Sequence, residues 1–472
     1  MPENIAHDAG LLALGLGLGA AAAACALRPP PAPVAPADDD DAPSLALPAP
    51  LPCVEKLSAE QISRYSRQLL LPCFGTAAQC RLCSASALVI GAGGLGSPVI
   101  AYLAGAGIGR LGVIDDDAVD TSNLHRQVIH GYSAPGTNKA VSAGNAVAAL
   151  NPGVEYIAYQ TRLTAENAAE LVKAYDVVID ASDNMLTRYL VNDACVLMGR
   201  PLVSGAAIGA EGYCTVYNHT SSGGPCYRCI YAKPPPAATV SSCSDNGVLG
   251  AVPGVIGCVQ ALEALKLLAG MPKATVLARR MCIYDALAGE FRNMKTRQRS
   301  PKCAVCGDAP TIRSIADSAA WCKERDLVPA EDQQCAVHET LPPLHEAQRL
   351  SCVELKSRLA LAGAPAESSL LLDVREPVQF EICALPGAKN VPLKELKKPE
   401  KMSEVFAEAA GRPVYVVCRR GVDSVTATHS LLEYAAAQDD GKGGAMSNRK
   451  LYNIEGGLQE WHRQVDPSFP IY

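Results

Sequence analysis

Apolar and polar positions alternate in two separate series along the chain, and each series predicts strands followed by helices. In residues 57–309, short apolar runs are separated by Ala- and Leu-rich stretches with helical spacing. This alternation predicts a doubly wound α/β domain with a parallel sheet and helices on both faces. The runs that predict its strands are SALVIGAG (86–93), RLGVIDDD (110–117), VEYIAY (154–159) and YDVVIDASD (175–183).

The second series covers residues 350–472 and predicts a smaller α/β domain. Residues 310–349, between the two series, show no clear period and are predicted to form a linker. Residues 1–56 contain dense proline and an acidic run, and we expect a disordered tail because such a segment buries little apolar surface. The predicted strands of the second domain are SLLLDVRE (369–376), KNVPL (389–393) and PVYVVC (413–418).

Charge and cysteine content narrow the possible partners and compartment. The chain has 42 Lys and Arg against 48 Asp and Glu, a net charge of −6. We therefore expect no direct binding to nucleic acid or to an anionic membrane. The apolar run at 11–27 is not expected to act as a membrane anchor or targeting signal. It has seventeen residues where a spanning helix needs about 20, and no Lys or Arg precedes it. Nineteen cysteines, with two pairs at a spacing that suits a metal, favour the reducing cytosol.

The stretch ALVIGAGGLGSPV (87–99) predicts a strand, a glycine turn and a helix N-terminus, which together can hold a phosphate. The aspartates 115–117 that end the next strand would also suit the ribose of a dinucleotide, so a dehydrogenase using NAD remains possible at this point. Asn123, Arg126 and Lys139 then follow. Two cations and an amide close together favour a triphosphate as the ligand, because positive charge stabilises the negative charge that develops on pyrophosphate as it departs. A non-catalytic scaffold is the other alternative.

Several motifs, taken in their order along the chain, resemble those of the adenylating enzymes that activate ubiquitin-like proteins. The resemblance implies a Rossmann-like domain that binds ATP and Mg²⁺ and joins the C-terminal glycine of a small carrier protein to AMP. It covers most of residues 57–309. The motifs are RYSRQLLLP (64–72), GAGGLGSP (91–98), DDDAVDTSNLHRQ (115–127), ASDNMLTRYLVNDAC (181–195), GPCYRCIY (224–231) and CAVCG (303–307).

The same resemblance assigns roles to individual positions. Arg126 and Lys139 would offset the negative charge of the reacting groups, and Asp183 would hold the Mg²⁺. Asp183 could instead cap the helix that starts near Asn184. Arg67, with Arg64 as the competing residue, would reach across a homodimer into the partner's site. The positions expected to line the ATP site are Gly94, Asp115, Ser122, Asn123, Leu124, His125, Arg126, Lys139, Asp183 and Asn184.

The two C-x-x-C pairs predict a structural zinc site. Four thiolates can surround Zn²⁺ in a tetrahedron, and the ligands are expected to be Cys226, Cys229, Cys303 and Cys306. Cys243 lies between the pairs in a polar loop. The resemblance implies that it attacks the activated acyl group or resolves a disulfide intermediate, although it could be an ordinary loop thiol.

Cys418 begins a short loop between a predicted strand and a predicted helix near Ser424. The loop N–H groups, the helix N-terminus, Arg419 and Arg420 are expected to favour a thiolate and to hold a persulfide. A phosphatase would need an arginine where Ser424 stands. The segment resembles the active loop of rhodanese-type sulfurtransferases. That likeness makes two further residues supports of the loop, namely Asp373 and Arg375.

The order of the two domains resembles the eukaryotic molybdopterin-synthase adenylyltransferase and sulfurtransferase family over residues 57–472. This implies that a persulfide on Cys418 converts the carrier adenylate into a thiocarboxylate. The expected carriers are the small subunit of molybdopterin synthase and a ubiquitin-related modifier that serves tRNA wobble-uridine thiolation. A cysteine desulfurase or another persulfide donor would supply the sulfur. The alternative function is activation of a ubiquitin-like protein for conjugation without sulfur transfer.

Overall fold

The structure is a computed structural model that describes residues 47–234, 247–323, 344–361, 369–437 and 450–472. The predicted tail up to residue 46, including the apolar run at 11–27, and Cys243 lie outside the described residues. Within them, the chain forms one eight-stranded sheet and one five-stranded sheet. The parallel strands predicted for both domains are present, which confirms the α/β fold class.

The eight-stranded sheet has the order β3-β2-β1-β4-β5-β6-β7-β8. The five strands from β3 to β5 are parallel, and the last three extend the sheet in antiparallel fashion. The strand order reverses beside β1, where ligands bind in doubly wound sheets. The strands are β1 (Ser86–Ile90), β2 (Arg110–Ile114), β3 (Glu155–Tyr159), β4 (Val177–Asp180), β5 (Leu202–Ile208), β6 (Glu211–Tyr217), β7 (Arg280–Asp285) and β8 (Glu290–Lys295).

Helices cover both faces of this sheet, and two buried apolar clusters fill the space between the layers. Ser58 and Gln61 form a capping box at the start of α1, which satisfies N–H groups that have no partner within the helix. The helices are α1 (Ala59–Leu69), α2 (Gly75–Cys83), α3 (Gly96–Ala106), α4 (Lys139–Leu150), α5 (Ala168–Lys173), α6 (Met185–Leu197), α7 (Tyr227–Ile230), α8 (Ala251–Leu268) and α9 (Ile315–Lys323).

Helix α9 lies inside the segment that was predicted to be a linker. It packs against α6, with Ile315 buried and Trp321 contacting the same cluster. Near the other end of the domain, Val54 N donates to Ser84 Oγ at 2.7 Å, so part of the predicted tail also contacts the domain. Both segments lack a clear apolar period, and contacts with the rest of the domain order them.

Helix α8 is the one described helix that is long and apolar enough to cross a membrane by length and composition. It contacts α3 and strands β5 and β6 of the same domain. Its apolar character is therefore explained by packing within the domain.

The five-stranded sheet is entirely parallel, with the order β11-β10-β12-β13-β9. Apolar clusters cover its two faces. Its strands are β9 (Arg349–Leu350), β10 (Leu370–Asp373), β11 (Ala388–Asn390), β12 (Val414–Val417) and β13 (Leu451–Ile454). Its helices are α10 (Cys352–Leu361), α11 (Pro377–Ile382), α12 (Leu393–Leu396), α13 (Pro399–Ala409), α14 (Asp423–Ala437) and α15 (Gly457–Gln464).

Candidate active sites

The glycine turn after β1 brings the backbone into close contact with the neighbouring strand end. Gly91 has φ +95°, and a Cβ there would lie 2.9 Å from Ala181 O. A Cβ on Gly96 would lie only 2.0 Å from Gly91 O. The buried His130 braces the turn, with its Nε2 3.0 Å from Ala92 O. Glycine is therefore required for the chain to pass from β1 into α3, whose N-terminal N–H groups suit a phosphate.

Asp115, at the end of β2, joins the second strand to this turn. Its Oδ2 accepts from Ala92 N at 2.7 Å, and its Oδ1 accepts from Asp117 N at 3.0 Å. Burial raises the pKa of the Asp115 carboxyl, while these N–H groups and nearby Lys139 partly offset the rise. The carboxylate therefore fixes the geometry of the turn, and its contact with a ribose stays a prediction.

Lys139 is the first residue of α4 and is only 6% exposed. Asn138 caps this helix, with its Oδ1 accepting from the N–H groups of Ala140 and Val141. Lys139 Nζ lies 2.6 Å from Asp117 Oδ2, which gives the buried ammonium its counter-charge. The predicted cation is thus placed beside the acidic end of β2, and Asp117 is a partner that the sequence analysis did not identify.

Arg126 lies in a cluster with other predicted site residues. Its Nη2 donates to Asn123 Oδ1 at 2.6 Å, and its Nη1 lies 2.8 Å from His125 Nε2. Partial desolvation and the Arg126 charge lower the pKa of His125, so the ring can accept this hydrogen bond. A Cβ on Gly94 would lie 3.4 Å from Arg126 Cγ, so the arginine packs directly against the glycine turn.

Ser122 and Leu124 flank Asn123 in the same short segment. Asp120 Oδ1 accepts from Ser122 N at 2.7 Å and caps a single helical turn at Thr121–Asn123. Ser122 is exposed, and Leu124 is half-buried. The turn therefore presents this predicted segment at the carboxyl end of the parallel strands.

The alternative role for Asp183 as a helix cap is wrong. Asn184 is the N-cap of α6, and its Oδ1 accepts from Leu186 N at 2.8 Å and Thr187 N at 3.4 Å. Asp183 is exposed just after β4. Its carboxylate is separate from the close group formed by the three aspartates 115–117.

The two competing arginines of α1 differ in their contacts. Arg64 Nη1 donates to Leu150 O at 3.1 Å, at the end of α4 of the same domain. Arg67 is exposed in the last turn of α1. Both residues are exposed, and the reach of Arg67 into a partner's site stays a prediction.

The four cysteines predicted to bind zinc lie together. Their Sγ atoms all lie within 4.8 Å of one another, and the nearest pairs are 3.4 to 3.7 Å apart. A tetrahedron with Zn–S bonds of about 2.3 Å has S···S edges of about 3.8 Å. A disulfide would need about 2.05 Å, and these cysteines are free. The donor set and its spacing therefore fit a closed tetrathiolate metal site.

The first cysteine pair is fixed to the domain by the arginine within it. Arg228 Nη2 lies 2.6 Å from Asp193 Oδ2, and both side chains are essentially fully buried. Ser318 Oγ donates to the same carboxylate at 2.5 Å, and the guanidinium carbon lies 3.9 Å from the centroid of the Trp321 ring. This ion pair connects α7, α6 and α9. It was not predicted, because nothing in the local pattern pairs these residues.

Cys418 directly follows β12, with its loop leading into α14. The side chain is 1% exposed, and its Sγ accepts from Gly421 N at 3.1 Å and lies 3.4 Å from Ser424 Oγ. Burial raises the pKa of the thiol, whereas the Ser424 and loop hydrogen bonds lower it by a smaller amount. The loop hydrogen bonds thus favour the thiolate, as expected, but burial of the side chain outweighs them and leaves the pKa of the resting thiol raised.

The start of α15 shapes this loop. Leu458 N donates to Cys418 O and Gln459 N donates to Arg419 O, both at 3.0 Å. Gly457 has φ +59°, and a Cβ there would lie 2.3 Å from Cys418 O. These hydrogen bonds fix the carbonyls of the loop on α15, while the N–H group of Gly421 donates to the sulfur. The motif NIEGGLQEW (453–461) contains the signal for this contact.

Asp373 and Arg375, which were predicted to support the loop, form an ion pair at the end of β10. The carboxylate binds the guanidinium through two close contacts, Nε to Oδ1 at 2.9 Å and Nη2 to Oδ2 at 2.6 Å. Both side chains are buried. Asp373 is the pairing partner of Val417, which precedes Cys418, and the supporting role of the two residues stays a prediction.

Comparison with known protein families establishes the class of protein to which the chain belongs. A model of the ThiF family matches residues 65–305, and a model of the rhodanese-like domain matches residues 354–464. Together with the two sheets and their sites, these matches define an enzyme with an ATP-using ThiF domain and a C-terminal rhodanese domain.

Individual relatives narrow the class. Adenylyltransferase and sulfurtransferase MOCS3 of Mus musculus is 44% identical over 428 residues, which are 88% of this chain and 88% of that protein. The protein of the same name in Dictyostelium discoideum is 42% identical over 436 residues, 88% of this chain and 98% of that protein. The crystal structure of E. coli MccB is similar with a TM-score of 0.44 and 19% identity, over 50% of this chain and 68% of that one. The chain belongs to the adenylyltransferase and sulfurtransferase MOCS3 family, which confirms the predicted enzyme class.

Proposed function

We propose that the chain adenylates the C-terminal glycine of a ubiquitin-like sulfur carrier and then converts that terminus into a thiocarboxylate. The observation that carries the proposal is the presence of two sites in one chain: the cluster around the glycine turn and Cys418 in its loop. The proposed carriers are the small subunit of molybdopterin synthase and the ubiquitin-related modifier. Their products would serve molybdenum cofactor synthesis and thiolation of tRNA wobble uridine.

In the first step, the carrier carboxylate attacks the α-phosphorus of ATP, and pyrophosphate departs. Two anions must approach each other, so the site has to supply positive charge. Arg126 and Lys139 lie beside the glycine turn and are suited to this role. A Mg²⁺ held by Asp183 would bind phosphate oxygens. Arg67 would complete the site of the partner in a homodimer.

In the second step, a persulfide on Cys418 attacks the carbonyl carbon of the adenylate, and AMP leaves. The product is an acyl disulfide that joins the carrier to Cys418. Attack by the Cys243 thiolate on the Cys418 sulfur would release the carrier thiocarboxylate and leave a disulfide between the two cysteines. A cellular dithiol would reduce it, and a cysteine desulfurase or another donor would restore the persulfide.

The remaining parts of the proposal concern stability and location. Zn²⁺ at the four-cysteine cluster would tie the C-x-x-C segment at α7 to the end of the domain. Its role would be structural, because a closed tetrathiolate has no open position for substrate. The free thiols and the metal-type spacing support a cytosolic enzyme.

The decisive experiment weighs the carrier after incubation with the full chain, ATP, Mg²⁺ and a sulfur donor. Replacement of one oxygen by sulfur at the carrier C-terminus is expected. Cys418→Ala should abolish that change but leave carrier-dependent ATP–pyrophosphate exchange intact, and Cys258→Ala, on α8, serves as the matched control. A thioester or isopeptide conjugate with no sulfur gained would support the alternative of activation for conjugation.

A further inference from the structure

Tyr472 lies between two arginines of the rhodanese domain. Its hydroxyl accepts from Arg375 Nη1 at 2.6 Å. The centroid of its half-buried ring lies 4.9 Å from the guanidinium carbon of Arg419 and 5.8 Å from that of Arg375. One aromatic side chain therefore connects Arg375, which follows β10, with Arg419 of the Cys418 loop.

Arg375 gives the ring a rigid support. Its guanidinium is paired with Asp373 on β10, and it also donates to Gln379 O at 3.1 Å and to Cys383 O at 2.7 Å. The side chain is 2% exposed. A group held by this many partners has little rotational freedom, so the hydroxyl of Tyr472 is fixed relative to the sheet.

Arg419 is the residue that follows Cys418, and its backbone carbonyl accepts from Gln459 N at 3.0 Å. Its main chain is thus fixed, but an arginine side chain has many rotamers and loses up to about 2 kcal/mol of entropy when it is held in one. An aromatic face at this distance attracts a guanidinium and restricts those rotamers. The ring is therefore placed to select one orientation of the positive charge beside the sulfur-transfer loop.

We propose that Tyr472 is a positioning residue that holds the Arg419 guanidinium where it binds the anionic sulfur donor. This rests on the proposed role of Cys418 as the sulfur acceptor. Tyr472 acts on donor binding through Arg419 and does not touch the reacting atoms. Its ring face is the part that matters, while its hydroxyl sets the angle of the ring against Arg375.

The test uses the full chain with thiosulfate as the anionic donor and cyanide as the acceptor. Thiosulfate transfers its outer sulfur to the Cys418 thiolate as sulfite departs, and cyanide then takes that sulfur as thiocyanate and regenerates the thiolate. Tyr472→Leu is expected to raise KM for thiosulfate about three- to tenfold, the range of a partly desolvated cation–π contact, with kcat nearly unchanged. Tyr472→Phe should remain within about twofold of the unchanged chain, because the aromatic face is kept.

A double-mutant cycle separates positioning from a general structural role. In the Arg419→Ala background, Tyr472→Leu should produce no further rise in KM, since the residue through which it acts is missing. An equal rise in both backgrounds would overturn the proposal, and so would an equal loss in Tyr472→Phe and Tyr472→Leu. If Tyr472→Leu lowers the unfolding temperature of the domain, Tyr472→Met takes its place in the cycle.

Two controls distinguish failure of this inference from failure of the proposed function. ATP–pyrophosphate exchange with a carrier should be unchanged in every Tyr472 variant. If Cys418→Ala retains thiocyanate formation, the role of Cys418 is wrong. If Cys418→Ala is inactive and the Tyr472 variants keep the original KM, only the positioning role is wrong.

Discussion

A methyl group added at Gly457 should distort the Cys418 loop and abolish the sulfur transfer proposed for it while leaving adenylation intact. In the folded chain, the Cβ of Gly457→Ala would lie 2.3 Å from Cys418 O, 2.7 Å from Gly421 N and 2.9 Å from Arg419 C. These are backbone atoms that cannot rotate away. Ordinary contact begins near 3.4 Å, so the loop or the start of α15 must move by about 1 Å.

The size of the effect follows from that displacement. A shift of about 1 Å in a reacting group can lower a rate by about 10²-fold, and we expect a loss of this order in sulfur transfer. The backbone contributes a separate cost, because Gly457 has φ +59°. A residue other than glycine in that region costs roughly 1 to 2 kcal/mol.

Gly411 provides a matched control for the backbone cost. It has φ +82°, lies in the same domain between α13 and β12, and a Cβ there would meet nothing within 4 Å. Gly411→Ala should therefore lower the unfolding temperature by a similar backbone contribution but keep thiocyanate formation. The assays are thiosulfate:cyanide transfer, carrier-dependent pyrophosphate exchange and thermal unfolding. Equal transfer rates in the two variants would refute the steric reasoning.

Further predictions concern the metal cluster, the buried ion pair and the thiol. Asp193→Asn leaves the buried Arg228 without its counter-charge, so chemical denaturation should show the ThiF domain destabilised by about 3 to 5 kcal/mol; a loss below about 1 kcal/mol would contradict this. Metal removal by a chelator should expose four thiols to a thiol reagent and lower the unfolding temperature of that domain alone, with Cys258→Ser retaining the metal as control. Because burial raises the Cys418 pKa, alkylation of that thiol should accelerate only as pH rises above the ordinary thiol pKa. Ser424→Ala, which removes a hydrogen bond that lowers this pKa, should shift the midpoint to still higher pH, and an unchanged or lower midpoint would argue against that hydrogen bond.

Several parallel strands could be predicted because they are short and mostly apolar runs. Strands β1, β2 and β4 are buried at every position, and most of their residues are accordingly apolar. Strand β8 is exposed at every position and, among the described residues, pairs with β7 alone. It has no apolar run, so the antiparallel extension of the sheet could not be recognised from a pattern of buried residues.

The candidate sites likewise contain features that the sequence indicates and contacts that it does not. The glycine turn, the C-x-x-C pairs and the Cys418 loop are local, and their spacing alone indicates the chemistry. The contacts of Lys139 with Asp117, Arg228 with Asp193 and Tyr472 with Arg419 join elements that are far apart in sequence or carry no motif. The pKa of Cys418 also depends on the burial of its side chain, which the local sequence does not show and which outweighs the loop hydrogen bonds that lower the pKa.

The two sites are held together by different means, and this makes their failures separable. Side chains from α7, α6 and α9 stabilise the metal cluster through a buried ion pair, whereas backbone hydrogen bonds from α15 hold the Cys418 loop. If loss of the first arrangement unfolds the ThiF domain, the proposed adenylation site around the glycine turn is lost with it, and the carrier would keep its original carboxylate. Loss of the arrangement around Cys418 would leave an adenylate that receives no sulfur. Pyrophosphate would still be released, but the carrier would gain no sulfur. The form of the carrier that accumulates, carboxylate or adenylate, therefore identifies which of the two arrangements has failed. This distinction holds because adenylation is proposed to precede sulfur transfer.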